Sequence, residues 1–466
     1  VVSVGRSNKA ARAAAPGAVA LNFLTWVRRQ AWLRPVYRLA PESLRLRFAD
    51  LLKARSRARL RFPRTANWAR PIPVLPDRLG NTPVERSTGL GLDVYGFIRG
   101  QFGLGESVRL YSRALLSAGC DLALHDVDLG LPHGWSDHSL DAFMREEAPH
   151  QTSIIFINPD WLEVALDKIG RDRLAGKYII GCWFWELESI PASWVSALAE
   201  VDAIMVASTF VESAFRSVTD KPIIRVPIPL SEVPDSGLQR SDFGLDEECF
   251  TFLTSFDFNS SPARKNPLAT IAAFRAAFPV ERNDVRLVVK SSNGHRHDDA
   301  VRSLIAAARG DSRIVIRDEV IERAHVRALQ RCCDVYVSLH RAEGFGLGLA
   351  ECMELGKPVI ATRWSGNLEF MDETNSCLVD YTLVPVQQGE YLDAAEALWA
   401  EANIDAAAAA MKGLADSPEL ARRIGLKAQQ DVRRKLAPAS AADALVRQLA
   451  ALNGAPSATV SRPEGQ

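Results

Sequence analysis

The chain has 466 residues, 47% of them hydrophobic, and 56 Lys/Arg balance 56 Asp/Glu. A chain of that length can bury a large core, and two or three domains are expected. The seven cysteines show no paired spacing, which argues against a zinc site or a disulfide framework and for a reducing cytoplasm. No apolar run approaches the roughly 18 residues of a spanning helix. The longest near the start, Ala18–Val27, is too short and contains Asn22 and Thr25. No apolar segment followed by a small-residue cleavage site is evident either, so no signal peptide is expected.

Charge is unevenly spread. Residues 1–70 hold sixteen Lys/Arg against two acids, Glu42 and Asp50. Residues 1–88 are read as a basic helical N-terminal extension. Pro41-Glu42 opens a helix in which Leu44, Phe48, Leu51 and Leu52 share a face ringed by Arg45, Arg47, Lys53 and Arg55. Such a helix suits the headgroup plane of an anionic membrane, but basic amphipathic helices also bind partners and nucleic acid, and it can also be a solvated helix that packs on the main body.

From residue 89 to 228, apolar strand candidates alternate with helices: Leu92–Ile98, helix Glu106–Ala118, Leu122–Val127, Ser153–Ile157, Lys177–Phe184, helix Ala192–Glu200, Ala203–Ala207, helix Phe210–Val218 and Ile223–Val226. This alternation predicts a parallel sheet covered on both faces. A Pro/Gly/acidic stretch, 229–248, reads as a linker. The alternation restarts in 249–435 with Phe250–Phe258, helix Pro267–Ala277, Val285–Lys290, helix Asp298–Arg309, Arg313–Val320 and helix Ala324–Cys333, then strands near 334–339 and 358–362. An Ala-rich helical end is expected over Asp393–Leu452, with 436–466 as a last helix and a disordered tail.

Three loops carry polar chemistry. Gly100-Gln101-Phe102-Gly103-Leu104-Gly105-Glu106 joins the first strand to its helix, where Gly103 and Gly105 permit close approach of a ligand. It lacks the third glycine of the dinucleotide pattern, so NAD binding is not supported. Arg264 and Lys265 precede the helix opened by Pro267, and cations at a helix N-terminus are unfavourable unless an anion shares the site. Lys290 ends the next strand. The segment Ser338–Leu368 holds Glu343 and Glu351 with seven residues between them, around a glycine turn that opens a helix. Two acids beside an anion-favouring helix end fit a nucleotide bearing a sugar better than a bare phosphate.

Glu343-Gly344-Phe345-Gly346-Leu347-Gly348-Leu349-Ala350-Glu351, followed by Cys352-Met353-Glu354-Leu355-Gly356-Lys357-Pro358-Val359, resembles the signature of retaining GT-B glycosyltransferases of family 4. The similarity extends to the first glycine loop, to Gly181–Glu188 and to Arg264–Pro267, and covers roughly 91–435. It implies an α/β GT-B fold, two Rossmann-like doubly wound domains facing a central cleft. It implies transfer of a sugar from a nucleotide-diphosphate donor, with Glu343 at the donor sugar, Glu351 at the ribose, and Arg264 and Lys265 at the diphosphate. Lys290, Gly103, Gly105, Gly344, Phe345, Gly346, Leu347, Asn367 and His340 join Glu351 as donor-binding candidates.

Two departures stand out. The family separates its Arg and Lys by several residues, whereas here they are adjacent. A first-domain cleft histidine, frequent in the family, is replaced by Asn158, Trp185 and Glu186, which become the acceptor-side candidates. The expected partners are a nucleotide sugar and a glycan or lipid-linked glycan acceptor in cell-surface polysaccharide synthesis. An anionic membrane surface, met through residues 1–70, would place the protein peripherally on the cytoplasmic face. No metal, cofactor or nucleic acid is expected. A D-x-D string, Asp126-Val127-Asp128, is discounted because a parallel α/β repeat surrounds it. A glycoside hydrolase would not need the cation and glycine-loop anion sites. The remaining alternative is an inactive GT-B module that binds a nucleotide sugar or serves as a scaffold.

Overall fold

The computed structural model describes residues 90–131, 133–230, 235–394 and 396–453; the basic N-terminal extension lies outside them. The first sheet contains β1 (Gly91–Gly96), β2 (Asp121–Asp126), β3 (Thr152–Phe156), β4 (Tyr178–Cys182), β5 (Ala203–Val206) and β6 (Ile223–Arg225). All six run parallel in the order β2-β1-β3-β4-β5-β6. Strands buried on both faces read as continuous apolar runs rather than alternating ones, and every residue of β3 and β5 is buried.

The second sheet contains β7 (Phe250–Asp257), β8 (Val285–Ser292), β9 (Ile314–Asp318), β10 (Val335–Ser338), β11 (Val359–Thr362) and β12 (Cys377–Val379). It is also parallel, in the order β12-β11-β10-β7-β8-β9. The two orders differ. The second sheet, counted from its own first strand, is the dinucleotide-type 3-2-1-4-5-6, while the first is the flavodoxin-like 2-1-3-4-5 with one more strand. Each order reverses at one point, between β1 and β3 and between β7 and β10. Diverging connections leave a crevice at the carboxyl ends there.

Among the elements that depart from the sequence-based expectation, two matter most. The described residues of 393–402 are not helical. Leu398–Ala402 (β14) pairs antiparallel with Tyr381–Pro385 (β13), Leu383 lying opposite Ala400, and the helical end begins at Ile404. Helix Pro159–Ile169, opened by Pro159 at a position where its missing N–H costs nothing, fills a stretch in which no helix was expected.

The last helix, Pro438–Asn453, leaves the second sheet and packs on helix Gly103–Ser117 of the first. Leu445 and Leu449 are almost fully buried there, in a core shared with Leu110, Tyr111 and Leu115. Each such burial contributes on the order of 2 kcal/mol. Gln448 Nε2 donates to the Arg225 carbonyl at 3.1 Å, and Leu230 N–H donates to the Leu436 carbonyl at 2.9 Å.

Candidate active site

Charged side chains gather at the reversal point of the second sheet. The chain leaves β7 through a short helix, Pro262–Lys265, whose cap Ser261 sits at φ +60 and accepts from Arg264 N–H at 3.3 Å. Asn266, at φ +50, ends that turn and caps the following helix by accepting from Ala269 N–H at 3.4 Å. Arg264 and Lys265 therefore close one helical turn instead of opening the next helix. The expected clash with a helix N-terminus does not arise.

Both cations turn toward the loop after β10. Lys265 Nζ donates to Glu343 Oε1, and a guanidinium nitrogen of Arg264 reaches Glu343 Oε2 at 3.3 Å and the Ala342 carbonyl at 2.9 Å. Arg264 also lies 3.4 Å from Glu186 Oε1 across the cleft, and Glu186 accepts a hydrogen bond from Tyr391 Oη. Arg264, Lys265, Glu186 and Glu343 thus form one neutral set, with Arg264 only 4% and Glu343 7% exposed. Burial pushes the Glu343 carboxyl up, but Lys265 and Arg264 outweigh it and hold the pKa at about 2. Burial lowers the Lys265 ammonium, with Glu343 opposing. Burial and the neighbouring Glu186 raise the Tyr391 phenol, keeping it protonated as a donor.

A second cross-lobe contact lies toward β9. Arg323, at the start of helix Arg323–Cys332, pairs with both carboxylate oxygens of Glu351 and lies 3.3 Å from Glu106 Oε1 in the first lobe. Gln330 adds a 3.3 Å bond to Glu351. Burial raises the Glu106 carboxyl, yet Arg323 and Arg109 hold it at about 2. Glu106, in the first turn of the glycine-loop helix, and Arg323 carried no signal in the sequence as a pair, since 217 positions separate them.

The other expected residues divide into those facing the cleft and those turned inward. Gly103 has open space where a Cβ would be, whereas a Cβ on Gly105 would lie 2.2 Å from the Gly100 carbonyl. Gly105 is therefore a packing glycine. A Cβ on Gly344 would meet the Trp185 carbonyl at 2.5 Å, so this glycine permits the lobes' close approach; its own carbonyl accepts from Ser208 Oγ at 2.6 Å. Gly346, at φ +89, caps the helix Leu347–Glu354, a conformation that disfavours any side chain.

Phe345 packs on Phe370 and is 3% exposed, so only its backbone borders the loop. His340 is fully buried. Its Nε2 faces the Asn367 Oδ1 at 3.1 Å and the Trp364 carbonyl at 3.3 Å, while Nδ1 meets Ser338 Oγ. Asn367, also fully buried, donates to the Thr362 carbonyl. These two side chains tie the two loops together from beneath and do not line the cleft. Asn158 clamps Phe184 by exchanging bonds with its N–H and C=O, both at 2.9 Å. Trp185 is 3% exposed and donates to the Ser189 carbonyl. Of the acceptor-side candidates, Glu186 alone reaches the second lobe's charged set. Lys290 does not end its strand but lies within β8, two residues before Ser292; it is 7% exposed, and burial lowers its ammonium pKa. Asp126 of the D-x-D string accepts from Arg99 N–H and Trp135 Nε1, and Asp128 from Gly130 N–H. No three His, Cys, Asp or Glu side chains cluster as a metal site would need among the described residues.

Two parallel Rossmann-like sheets facing one cleft define the GT-B class of fold, and solved structures bear this out. Anabaena HepE, solved with UDP and glucose, is 13% identical with a TM-score of 0.58, covering 78% of this chain and 100% of its own. Sucrose-phosphate synthase from Thermosynechococcus elongatus is 15% identical with a TM-score of 0.56, again covering 78% and 100%. At such identities the likeness establishes the fold. More specifically, residues 258–401, which contain Arg264, Lys265, Glu343 and Glu351, match the family described as glycosyl transferases group 1. No curated protein matches the chain.

Proposed function

We propose that the protein is a glycosyltransferase that moves a sugar from a nucleotide-diphosphate donor to an acceptor hydroxyl with retention of anomeric configuration. The observation that carries this reading is Glu343, an ionised carboxylate held between Lys265 and Arg264 at the reversal point of the second sheet, inside the segment that matches group 1 glycosyl transferases. HepE, in the same fold, was solved with UDP and glucose, which makes a uridine nucleotide the first donor to try.

Breaking the bond between the anomeric carbon and the phosphate oxygen sends the electron pair to the diphosphate and leaves positive charge on the sugar ring. Lys265 and Arg264 stabilise the first, together with the N-terminus of helix Leu347–Glu354. Glu343, ionised throughout, stabilises the second or orients the sugar hydroxyls. An arriving diphosphate competes with Glu343 for its two cations, which frees the carboxylate toward the sugar. The acceptor oxygen then bonds to the anomeric carbon on the face the phosphate left, and its proton passes to the leaving phosphate oxygen. No step requires a metal. Glu351 is the ribose ligand in this reading, so the ribose must share it with Arg323 or displace that residue.

A thermal-shift screen against a panel of nucleotide sugars tests the donor, since ligand bound to the folded state stabilises it by mass action. No shift with any donor would count decisively against the reading. We place the reaction in cell-surface polysaccharide or glycan synthesis, with the basic residues 1–70 holding the protein against an anionic leaflet. No helix among the described residues is long and apolar enough to cross a membrane. Liposome flotation of the chain lacking residues 1–70 checks this, and undiminished flotation would refute it.

A further inference from the structure

The β13–β14 hairpin follows the last strand of the second sheet, and the loop between its strands reaches the charged set described above. It is fixed on both sides of the cleft. On the second lobe, Ser261 Oγ donates to the Glu390 carbonyl at 2.8 Å, and Glu401 of β14 pairs with Arg341 and accepts from Asn266 Nδ2 at 3.2 Å. Asn266 follows Lys265 directly, and Arg341 precedes Glu343 by two residues, so the hairpin braces both loops that carry the charged set. On the first lobe, Ser193 Oγ donates to Asp393 Oδ2 at 2.8 Å. Between these anchors lies Tyr391. Its ring sits 5.5 Å from Trp185 and 6.4 Å from Trp399, the Arg264 guanidinium lies 5.8 Å from its centroid, and its hydroxyl is held by Glu186.

We infer that Tyr391 is a positioning residue of this site, and that the hairpin carrying it closes the sugar end of the cleft against water. The inference rests on the glycosyltransferase reading and adds to it a residue and an element that the resemblance does not supply. Glu186 is the first-lobe carboxylate that reaches the second lobe's charged set, which makes it the group positioned to receive an acceptor hydroxyl. It has two partners there, Arg264 and Tyr391. Tyr391 fixes the carboxylate through its hydroxyl, while its ring covers Arg264 and keeps bulk water from the cation that faces the leaving diphosphate. Water is the simplest competing acceptor, so an enzyme of this kind needs such a cover.

The hydroxyl and the ring can be separated by substitution. With UDP-glucose as the first probe, or the donor that the panel selects, donor affinity is measured by calorimetry and donor hydrolysis by release of the nucleoside diphosphate. Transfer is measured to a panel of simple glycosides. Tyr391→Phe keeps the ring, and is expected to lower transfer about ten-fold while hydrolysis and donor affinity stay near wild type. Tyr391→Ala removes both, and is expected to lower transfer and also raise donor hydrolysis about ten-fold. A merely structural role would depress both rates together and would not raise a side reaction. Hydrolysis unchanged or lowered in Tyr391→Ala, with donor still bound, overturns the inference and leaves the glycosyltransferase reading standing. Absence of donor binding in the wild-type protein takes down both.

Discussion

The two ends of the cleft are bridged in different ways. At the Glu343 end, nearly buried Arg264 and Glu343 join the partly exposed Lys265 and Glu186 in a neutral set roofed by an aromatic ring. At the Glu351 end, a single arginine spans Glu106 and Glu351, and its side chain is 40% exposed while that of Glu351 is 4% exposed. Burial decides what each bridge is worth. Removing Arg264 or Glu343 leaves the other nearly buried charge short of a partner and costs roughly 3–5 kcal/mol. A bridge with a solvated member exchanges partners at much lower cost. The Glu343 end is therefore suited to stay assembled, and the Glu351 end to exchange partners.

The largest effect is expected from Glu343→Gln, which keeps the side-chain shape and removes the charge. Turnover should fall on the order of 100-fold or more, and calorimetry should show a melting temperature several degrees lower, since Lys265 and Arg264 lose their counter-ion. Near-normal turnover would remove Glu343 from the chemistry. Next comes Arg323→Ala. Among the described residues the Glu351 carboxylate then keeps only Gln330, and stability without ligand should drop by about 1–3 kcal/mol. Saturating UDP should recover much of that loss, because ribose hydroxyls can replace the arginine. If nucleotide recovers less stability in the variant than in wild type, Arg323 is itself a donor ligand and the contrast between the two ends fails.

A smaller effect is an acid sensitivity that both ends share. Glu343 and Glu106 both hold folded-state pKa values of about 2, below the ordinary value of 4.5. A depressed carboxylate contributes stability that is fully present above its unfolded pKa and is lost as pH falls through the folded one. The loss should therefore occur between pH 4.5 and about 2. Acid titration followed by circular dichroism should show that slope flattened in Glu343→Gln, and an unchanged slope would mean Glu343 is not held as described. The smallest effect belongs to Gly103→Ala, which meets open space and should alter stability by less than about 0.5 kcal/mol. A weakened donor affinity with stability intact would place the glycine loop against the donor.

Much of this architecture was legible because strands buried on both faces leave unbroken apolar runs, and because Glu343 and Glu351 stand in a distinctive glycine-rich setting. What stayed hidden has a common physical origin. Leu398-Trp399-Ala400-Glu401-Ala402 reads as helix by local preference and runs straight into an Ala-rich helix, so only its pairing with Tyr381–Pro385 made it a strand. That pairing concealed Tyr391. Arg323 and Glu106 are ordinary residues at helix starts, and their meeting depends on how two lobes face each other. His340, Asn367 and Phe345 stand beside the key residues in sequence, yet loop geometry turns their side chains inward. Neighbourhood in the chain did not predict neighbourhood in the cleft.

The final helix has a consequence for biogenesis. Pro438–Asn453 supplies part of the apolar cover of helix Gly103–Ser117, so the first lobe lacks a piece of its interior until the ribosome has made nearly the whole described chain. Domains made first usually fold first during synthesis. Here the early lobe must wait, holding a greasy seam open while more than 200 further residues emerge. A chain halted after residue 435 should bind hydrophobic dyes and aggregate, and supplying residues 436–453 as a separate peptide should restore its solubility.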